Sequence, residues 1–303
     1  MKKISFLLVV VIVLVSVIFS ACGGDSSSTQ GNSGSDNVGS VSSNNVSSDD
    51  YFIWEGTAIV ELSEKGLKQK EIVVPSSCTE IYAGAFAENE TLETVSFEND
   101  SVILSRGIFR DCTSLKNVTL PQNISEIPNG LFLNCTSLEA IEIPQDVVKI
   151  EANAFADCSS LKNIVFNNSL LEIGRESFSR CDNLAQINLP DSLEIVGEYA
   201  FAYNNMLSKV SFGSNVKEIK EWSFHKCVAL KTIKLPESVK SIGSMAFVYC
   251  DNLESIYLPA SLEEIDSKAL GQAHLLKVYV KAGSYADQNF ESFQDGSLEK
   301  NYY

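Results

Sequence analysis

Val239–Ser261 reads VKSIGSMAFVYCDNLESIYLPAS, and nearly all of the foldable chain repeats it. Phe247 marks the register. The same slot holds Phe86, Phe109, Phe132, Phe155, Phe178, Phe201 and Phe224 before it and Leu270 after it, each 23 residues from the next. Self-similarity at a fixed period of roughly 20–50 residues is the signature of a solenoid, whose units bury their apolar faces only against one another.

Around each phenylalanine the neighbours recur. Eight residues before it stand Cys78, Ser101, Ile124, Val147, Leu170, Leu193, Val216, Val239 and Leu262. Five before it runs an aliphatic column from Ile81 to Ile265, and the residue immediately before is usually Ala or Ser. Three after it come Asn89, Cys112, Cys135, Cys158, Cys181, Asn204, Cys227, Cys250 and Ala273, and six after it a leucine, from Leu92 to Leu253. Pairs such as Ile187 and Leu189, or Ile256 and Leu258, stand nine and eleven after it. The Phe, Cys, Leu spacing suits a tight helical or 3₁₀ turn with all three side chains inward. The final pair, two apart, suits a short strand with one face buried. Pro121, Pro144, Pro190, Pro236 and Pro259 follow that strand and stop it, since proline cannot donate to a ladder. Stacking then places parallel strands about 4.8 Å apart, in an array roughly 40–45 Å long.

The Cys-x-x-Leu-x-x-Ile-x-Leu-Pro core, preceded by Ala-Phe-x-x-Cys, resembles the BspA-type leucine-rich repeat of bacterial surface proteins, from about Ile72 to Val280. The resemblance implies an α/β repeat solenoid. It would be a right-handed leucine-rich-repeat superhelix with a parallel concave β-sheet and short helical or 3₁₀ turns. Residues 76–280 would form the array, of about nine repeats. Departures are Ser101 in an aliphatic slot, Asn89 and Asn204 in the cysteine slot, and a last repeat in which Leu275, Val278 and Val280 sit one residue early. Residues 51–75, with Phe52, Trp54 and the half repeat Ile72-Val-Val-Pro75, should cap the first rung. Residues 281–303, with Tyr285, Phe290, Phe293, Tyr302 and Tyr303, should cap the last.

Ahead of the array, Lys2 and Lys3 precede an apolar run from Ile4 to Phe19, and Ser20 and Ala21 come before Cys22. This is the order of a signal peptide over residues 1–21. A cysteine at the cleavage point resembles the bacterial lipoprotein signal, with Phe19 standing where such signals usually carry Leu; it implies lipid on Cys22. An uncleaved anchor helix is the alternative, the run being a little short of the roughly 20 residues that span a bilayer. Residues 22–50 form the linker. Gly23–Asp50 holds only Ser, Gly, Asn, Asp, Val, Thr and Gln, cannot repay the entropy of ordering, and would span about 25–30 Å as a coil.

The net charge is −16, and removing Lys2 and Lys3 with a leader takes it to −18. That sign opposes nucleic-acid binding, which needs Lys and Arg to neutralise phosphates. Six cysteines in one slot could form disulfides, ligate metal or stack as a buried ladder. The interchange of Cys with Asn favours the ladder, as both hydrogen-bond a neighbouring backbone turn; Cys78, in an aliphatic slot, takes the same reading. The only histidines are His225 and His274. Neither belongs to a catalytic or metal motif, and no glycine-rich phosphate loop occurs. No catalytic residue, metal or cofactor is expected.

A strand alternates, so the residue between the buried pair faces outward. On the concave sheet that the resemblance implies, this column runs Ser96, Thr119, Glu142, Val165, Asn188, Ser211, Lys234, Tyr257 and Tyr279, with Lys209 and Lys277 in the column two residues upstream. Asn188, Lys209, Lys234, Tyr257, Lys277 and Tyr279 are the candidate ligand-binding residues, tyrosine with a few charges being the composition of a binding hot spot. The expected function is a lipid-anchored, exported cell-surface protein that binds an extracellular or host surface protein, with no enzymatic activity. The alternatives are an envelope scaffold or capture lipoprotein for glycan or protein, and a hydrolase.

Overall fold

A computed structural model of the chain describes residues 48–271 and 276–303. The expected leader, Cys22 and the linker as far as residue 47 lie outside the described residues, as do Ala273, His274 and Leu275. The rest is a parallel β-solenoid of stacked 23-residue rungs. The strand expected after each turn is present: Ala140–Glu142 pairs in parallel with Asn163–Val165, Gln186–Asn188 with Lys209–Ser211, and Thr232–Lys234 with Ser255–Tyr257. Its central aliphatic residue faces the core, as Ile187, Ile233 and Ile256 show. In the worn last repeat Lys277 stands opposite Ser255 and Tyr279 opposite Tyr257, one residue early, and Val278 and Val280 are buried.

Each rung also carries a second strand that the repeat pattern does not reveal. Glu126–Ile127, Lys149–Ile150, Glu172–Ile173, Ile195–Val196, Glu218–Ile219, Ser241–Ile242 and Glu264–Ile265 pair in parallel as one seven-stranded sheet. A strand of two residues offers no alternation to read, so the buried aliphatic five before each phenylalanine is visible in the sequence while its pairing is not.

The turn between the two strands has the hydrogen bonds of a 3₁₀ turn, broken in the middle. Cys112 N–H donates to Phe109 O and Leu115 N–H to Cys112 O, both at 3.1 Å. Asp111, between them, has φ 61°, so the chain passes through the left-handed region instead of continuing as a helix. The residue two before each phenylalanine is left-handed too, beginning with Gly84, Gly107 and Gly130. These conformations aim alternate N–H groups the same way, as in anion-binding backbone nests. Here the acceptors are carbonyls of the next rung. Gly107, Phe109 and Asp111 donate to Asn129, Leu131 and Leu133 at 3.0, 3.0 and 2.8 Å. The turn thus has its own ladder along the solenoid axis.

Inside, the phenylalanines form one column. Ring centroids of Phe109, Phe132, Phe155, Phe178, Phe201, Phe224 and Phe247 are 5.1–5.4 Å apart and nearly parallel in sequence order. Phe86 meets Phe109 edge-on at 5.6 Å, and Phe52 of the N-terminal hairpin (Phe52–Glu55 against Ala58–Leu62) stacks on Phe86 at 6.0 Å. At the other end two single-turn helices follow, Tyr285–Gln288 and Phe290–Phe293; Phe290 and Phe293 of the second are buried, and Leu298–Tyr302 adds a parallel strand to Leu276–Val280. One slot is filled differently from expectation. Ser101 is exposed, and its neighbour Val102, 1% exposed, enters the core instead. Asn99 shapes this turn by donating to Cys78 O at 2.8 Å and accepting from Ser101 N–H at 3.0 Å.

Candidate functional site

Parallel pairing at a fixed period puts equivalent outward residues side by side, so the composition of a column becomes the composition of a surface. Lys234 stands opposite Tyr257, and Tyr257 opposite Tyr279. The two tyrosine rings lie 4.4 Å apart and 6° from parallel, and Lys234 Nζ is 5.2 Å from the Tyr257 ring centre. Neither tyrosine hydroxyl bonds a protein group among the described residues. Lys277 is exposed beside Ser255 on the last rung of the array. Lys209 and Asn188 sit on the two preceding rungs, opposite Gln186 and Ser211. The structure therefore gathers Lys234, Tyr257 and Tyr279 into one cluster and leaves Asn188 and Lys209 along the sheet beside it.

Three members of the cluster are legible only in the fold. Tyr303 packs edge-on against Tyr257 at 5.4 Å and donates its hydroxyl to Leu258 O at 2.9 Å. Lys281 lies over the Tyr303 ring at 5.6 Å and pairs with Glu237 at 2.5 Å. The hydrogen bond to Glu237 holds the Lys281 ammonium above its ordinary range, and burial together with Glu237 raises the Tyr303 hydroxyl. Tyr303 and Glu237 are 66 residues apart in sequence, and only the added C-terminal strand brings them together. The result is a firm aromatic surface edged with ammonium groups, at the end of an acidic molecule.

The family model for the BspA type leucine rich repeat region matches residues 64–185 and 172–298, with six copies. The chain belongs to the BspA-type leucine-rich repeat family. Among solved structures, a leucine-rich repeat protein of T. pallidum is 26% identical to this BspA-type chain, covering 68% of it and 89% of that protein with a TM-score of 0.48. A leucine-rich repeat protein of Bacteroides ovatus is 23% identical over 82% of this chain and 87% of that one, with a TM-score of 0.43. A leucine rich cell surface protein of Faecalibacterium prausnitzii is 22% identical over 81% and 90%, with a TM-score of 0.40. Among curated proteins none is significantly similar.

The cysteines of this BspA-type array are free and buried. Cys112, Cys135 and Cys158 donate their thiols to the carbonyls of Phe86, Phe109 and Phe132, each at 3.1 Å. Asn204 makes the same rung-crossing bond through Nδ2 to Phe178 O at 2.9 Å. Burial pushes the Cys112 and Cys250 thiols up to about 12 and those of Cys135, Cys181 and Cys227 well above the ordinary range. The thiolate is the nucleophile and the metal ligand, so these groups are chemically quiet at neutral pH. His225, 4% exposed, sits edge-on among Trp222, Tyr203 and Tyr249 at 4.7, 5.1 and 5.4 Å, with Nδ1 unpartnered. Among the described residues no three His, Cys, Asp or Glu side chains are placed to hold a metal ion.

Proposed function

We propose that this chain is a non-enzymatic cell-surface binding protein, held to the bacterial membrane by lipid on Cys22, that uses the Lys234, Tyr257 and Tyr279 face to grip an extracellular or host surface protein. The observation that carries the reading is the Tyr257 and Tyr279 stack, with neither hydroxyl bonded to a protein group among the described residues and Lys234 in register beside it. Each ring is already ordered by its neighbour, so little side-chain entropy remains to be lost on binding. Rigid tyrosine area with a polar tip is the commonest kind of interface anchor. Lys277 and Lys209 extend the face with charges that favour an acidic partner surface.

The test is a pull-down with the full chain from host-cell surface extract, followed by affinity measurements on the captured protein. Tyr257→Ala and Tyr279→Ala should each cost about 2 kcal/mol of binding or more while the melting temperature of the array stays near the parent's. Affinity unchanged by both substitutions would reject this face. For the anchor, Cys22→Ala should shift the chain from the membrane fraction to the medium, and continued membrane retention would count against lipidation there.

A further inference from the structure

A cavity lies away from the tyrosine face, on the turns of the first three rungs. It is a trough of about 450 Å³, and Gly84, Gly107 and Gly130 leave one side of it without side chains. Arg106, Arg110 and Asn129 reach into it, and no carboxylate lines it. The chain has only four arginines, at 106, 110, 175 and 180, so two of them meet here on a molecule of net charge −16.

The three polar side chains are prepared unequally. Arg110 is pinned, Nη2 to Glu88 at 2.8 Å and Nε to Asp111 at 3.2 Å, which leaves Nη1 to donate elsewhere. The Arg106 guanidinium and the Asn129 side-chain amide, one rung apart in the same column, have no protein partner among the described residues. The backbone cannot supply the missing interactions, because the Gly84, Gly107 and Gly130 N–H groups already donate to the next rung at 3.0–3.1 Å. Arg106 therefore carries the uncompensated charge, and Arg110 and Asn129 offer oriented donors beside it. Ala83 and Leu133 supply an apolar patch between them.

We infer that this trough binds the carboxylate-bearing ring of an acidic sugar, a uronic acid residue of a glycan. A planar carboxylate matches the fork of a guanidinium in two parallel bonds. The ring's C–H face would rest on Ala83, Leu133 and the bare glycine backbone, and Asn129 and Arg110 would serve its hydroxyls. The volume falls in the range of small-molecule sites, about 300–1,000 Å³. The site ends where the next trough begins, because that one, sharing Asn129, is lined by Glu151 and Glu172 as well as Lys149 and Arg175, and its cations are already paired, Lys149 with Glu172 at 3.3 Å and Arg175 with Glu176 at 3.0 Å. The molecule's overall negative charge opposes an anion only weakly at the site, since its field is screened beyond about 8 Å at physiological salt.

Titration of the full chain with methyl glucuronide and methyl glucoside, which differ only at the carboxylate, tests the assignment. The glucuronide should bind at least tenfold more tightly. Arg106→Gln should remove that preference, and its melting curve should match the parent's because the exposed side chain makes no hydrogen bond or ion pair among the described residues. Gly107→Asn should weaken both sugars by filling the trough. Its added Cβ would lie 3.8 Å from the nearest atom, and Asn153 already holds the equivalent left-handed conformation. If Gly107→Asn proves unstable, Arg106→Gln alone decides. Equal affinity for the two sugars, or a preference that survives Arg106→Gln, would overturn the proposal. So would an acetylated dipeptide with a free C-terminal carboxylate, or the 6-sulfate of the glucoside, that matched the glucuronide.

Discussion

The Cys158 thiol donates to the backbone carbonyl of Phe132, 3.1 Å away and 26 residues back along the chain. That carbonyl also accepts the Cys135 N–H of its own turn at 3.1 Å, and a small side chain from the next rung is its second donor. This explains why Asn204 can stand in for Cys in that slot, whereas Asn89, on the first rung, instead accepts from the Thr91 and Leu92 N–H groups through Oδ1 at 2.8 and 3.0 Å. In the Cys112, Cys135, Cys158 and Asn204 rungs the slot holds a small hydrogen-bond donor to the neighbouring carbonyl.

The exchange is not symmetrical, and that yields a first prediction. Asn204 reaches Phe178 O and Phe201 O through Nδ2, at 2.9 and 2.8 Å, but its Oδ1 is buried with no partner. A buried polar atom left unsatisfied costs about 1–3 kcal/mol. Asn204→Cys keeps one bond to the neighbouring carbonyl, removes the orphan oxygen and should raise stability by about 1 kcal/mol in a urea titration. A lowered midpoint would show that the second bond, to Phe201 O, outweighs the stranded oxygen.

Thiol reactivity offers a second. With the column thiols held protonated by burial, iodoacetamide at pH 8 should leave Cys78, Cys112, Cys135, Cys158, Cys181, Cys227 and Cys250 unmodified in the folded chain and alkylate all of them in denaturant. Rapid native labelling of any mid-array cysteine, mapped by mass spectrometry, would mean that the rungs open locally.

The legible part of this protein is the part that its period encodes. The phenylalanine column, the outward tyrosines and even the one-residue slip at Val278 follow from spacing alone, because every rung repeats the same burial problem. The turn ladder was hidden because it depends on backbone handedness. Gly84, Gly107 and Gly130 signal it, but Asn153, Glu176, Tyr199, Trp222 and Met245 take over the same left-handed position and erase the glycine signature. Tyr199 and Trp222 tolerate the strain while stacked on each other at 5.5 Å, a compensation invisible until the rungs are piled up. Tyr303 was legible as a lid residue, but its packing against Tyr257 depends on a strand outside the repeat.

The column itself sets the third prediction. Phe178 has Phe155 at 5.1 Å on one side, Phe201 at 5.4 Å on the other and Phe166 edge-on at 5.9 Å, and it is fully buried. Phe178→Ala should cost about 3–5 kcal/mol through lost burial and the cavity left behind. The rung-to-rung hydrogen bonds on the turn and in both sheets prevent the neighbours from closing the gap. An unfolding midpoint equal to the parent's would be incompatible with a continuous ring column.

His225 supplies a pH dependence whose sign can be worked out. Burial first, then the neighbouring Lys226 ammonium, lower its pKa below the ordinary 6.5, with a bond to the Val248 carbonyl working the other way. The folded state therefore favours the neutral ring more than the unfolded chain does, and the unfolded chain takes up the proton first as pH falls. This contribution to stability is complete above about pH 6.5 and is lost as pH falls from there through the lower folded value. Tyr203, Tyr249 and Trp222 surround the ring and offer no carboxylate to receive the charge. His225→Phe, which keeps an aromatic ring in the box, should gain on the parent in melting temperature between pH 7.5 and pH 5.5. The shared carboxylates titrate alike in both proteins and cancel in the difference. A difference that is flat across that interval would mean that the imidazole is protonated as easily inside the fold as outside it.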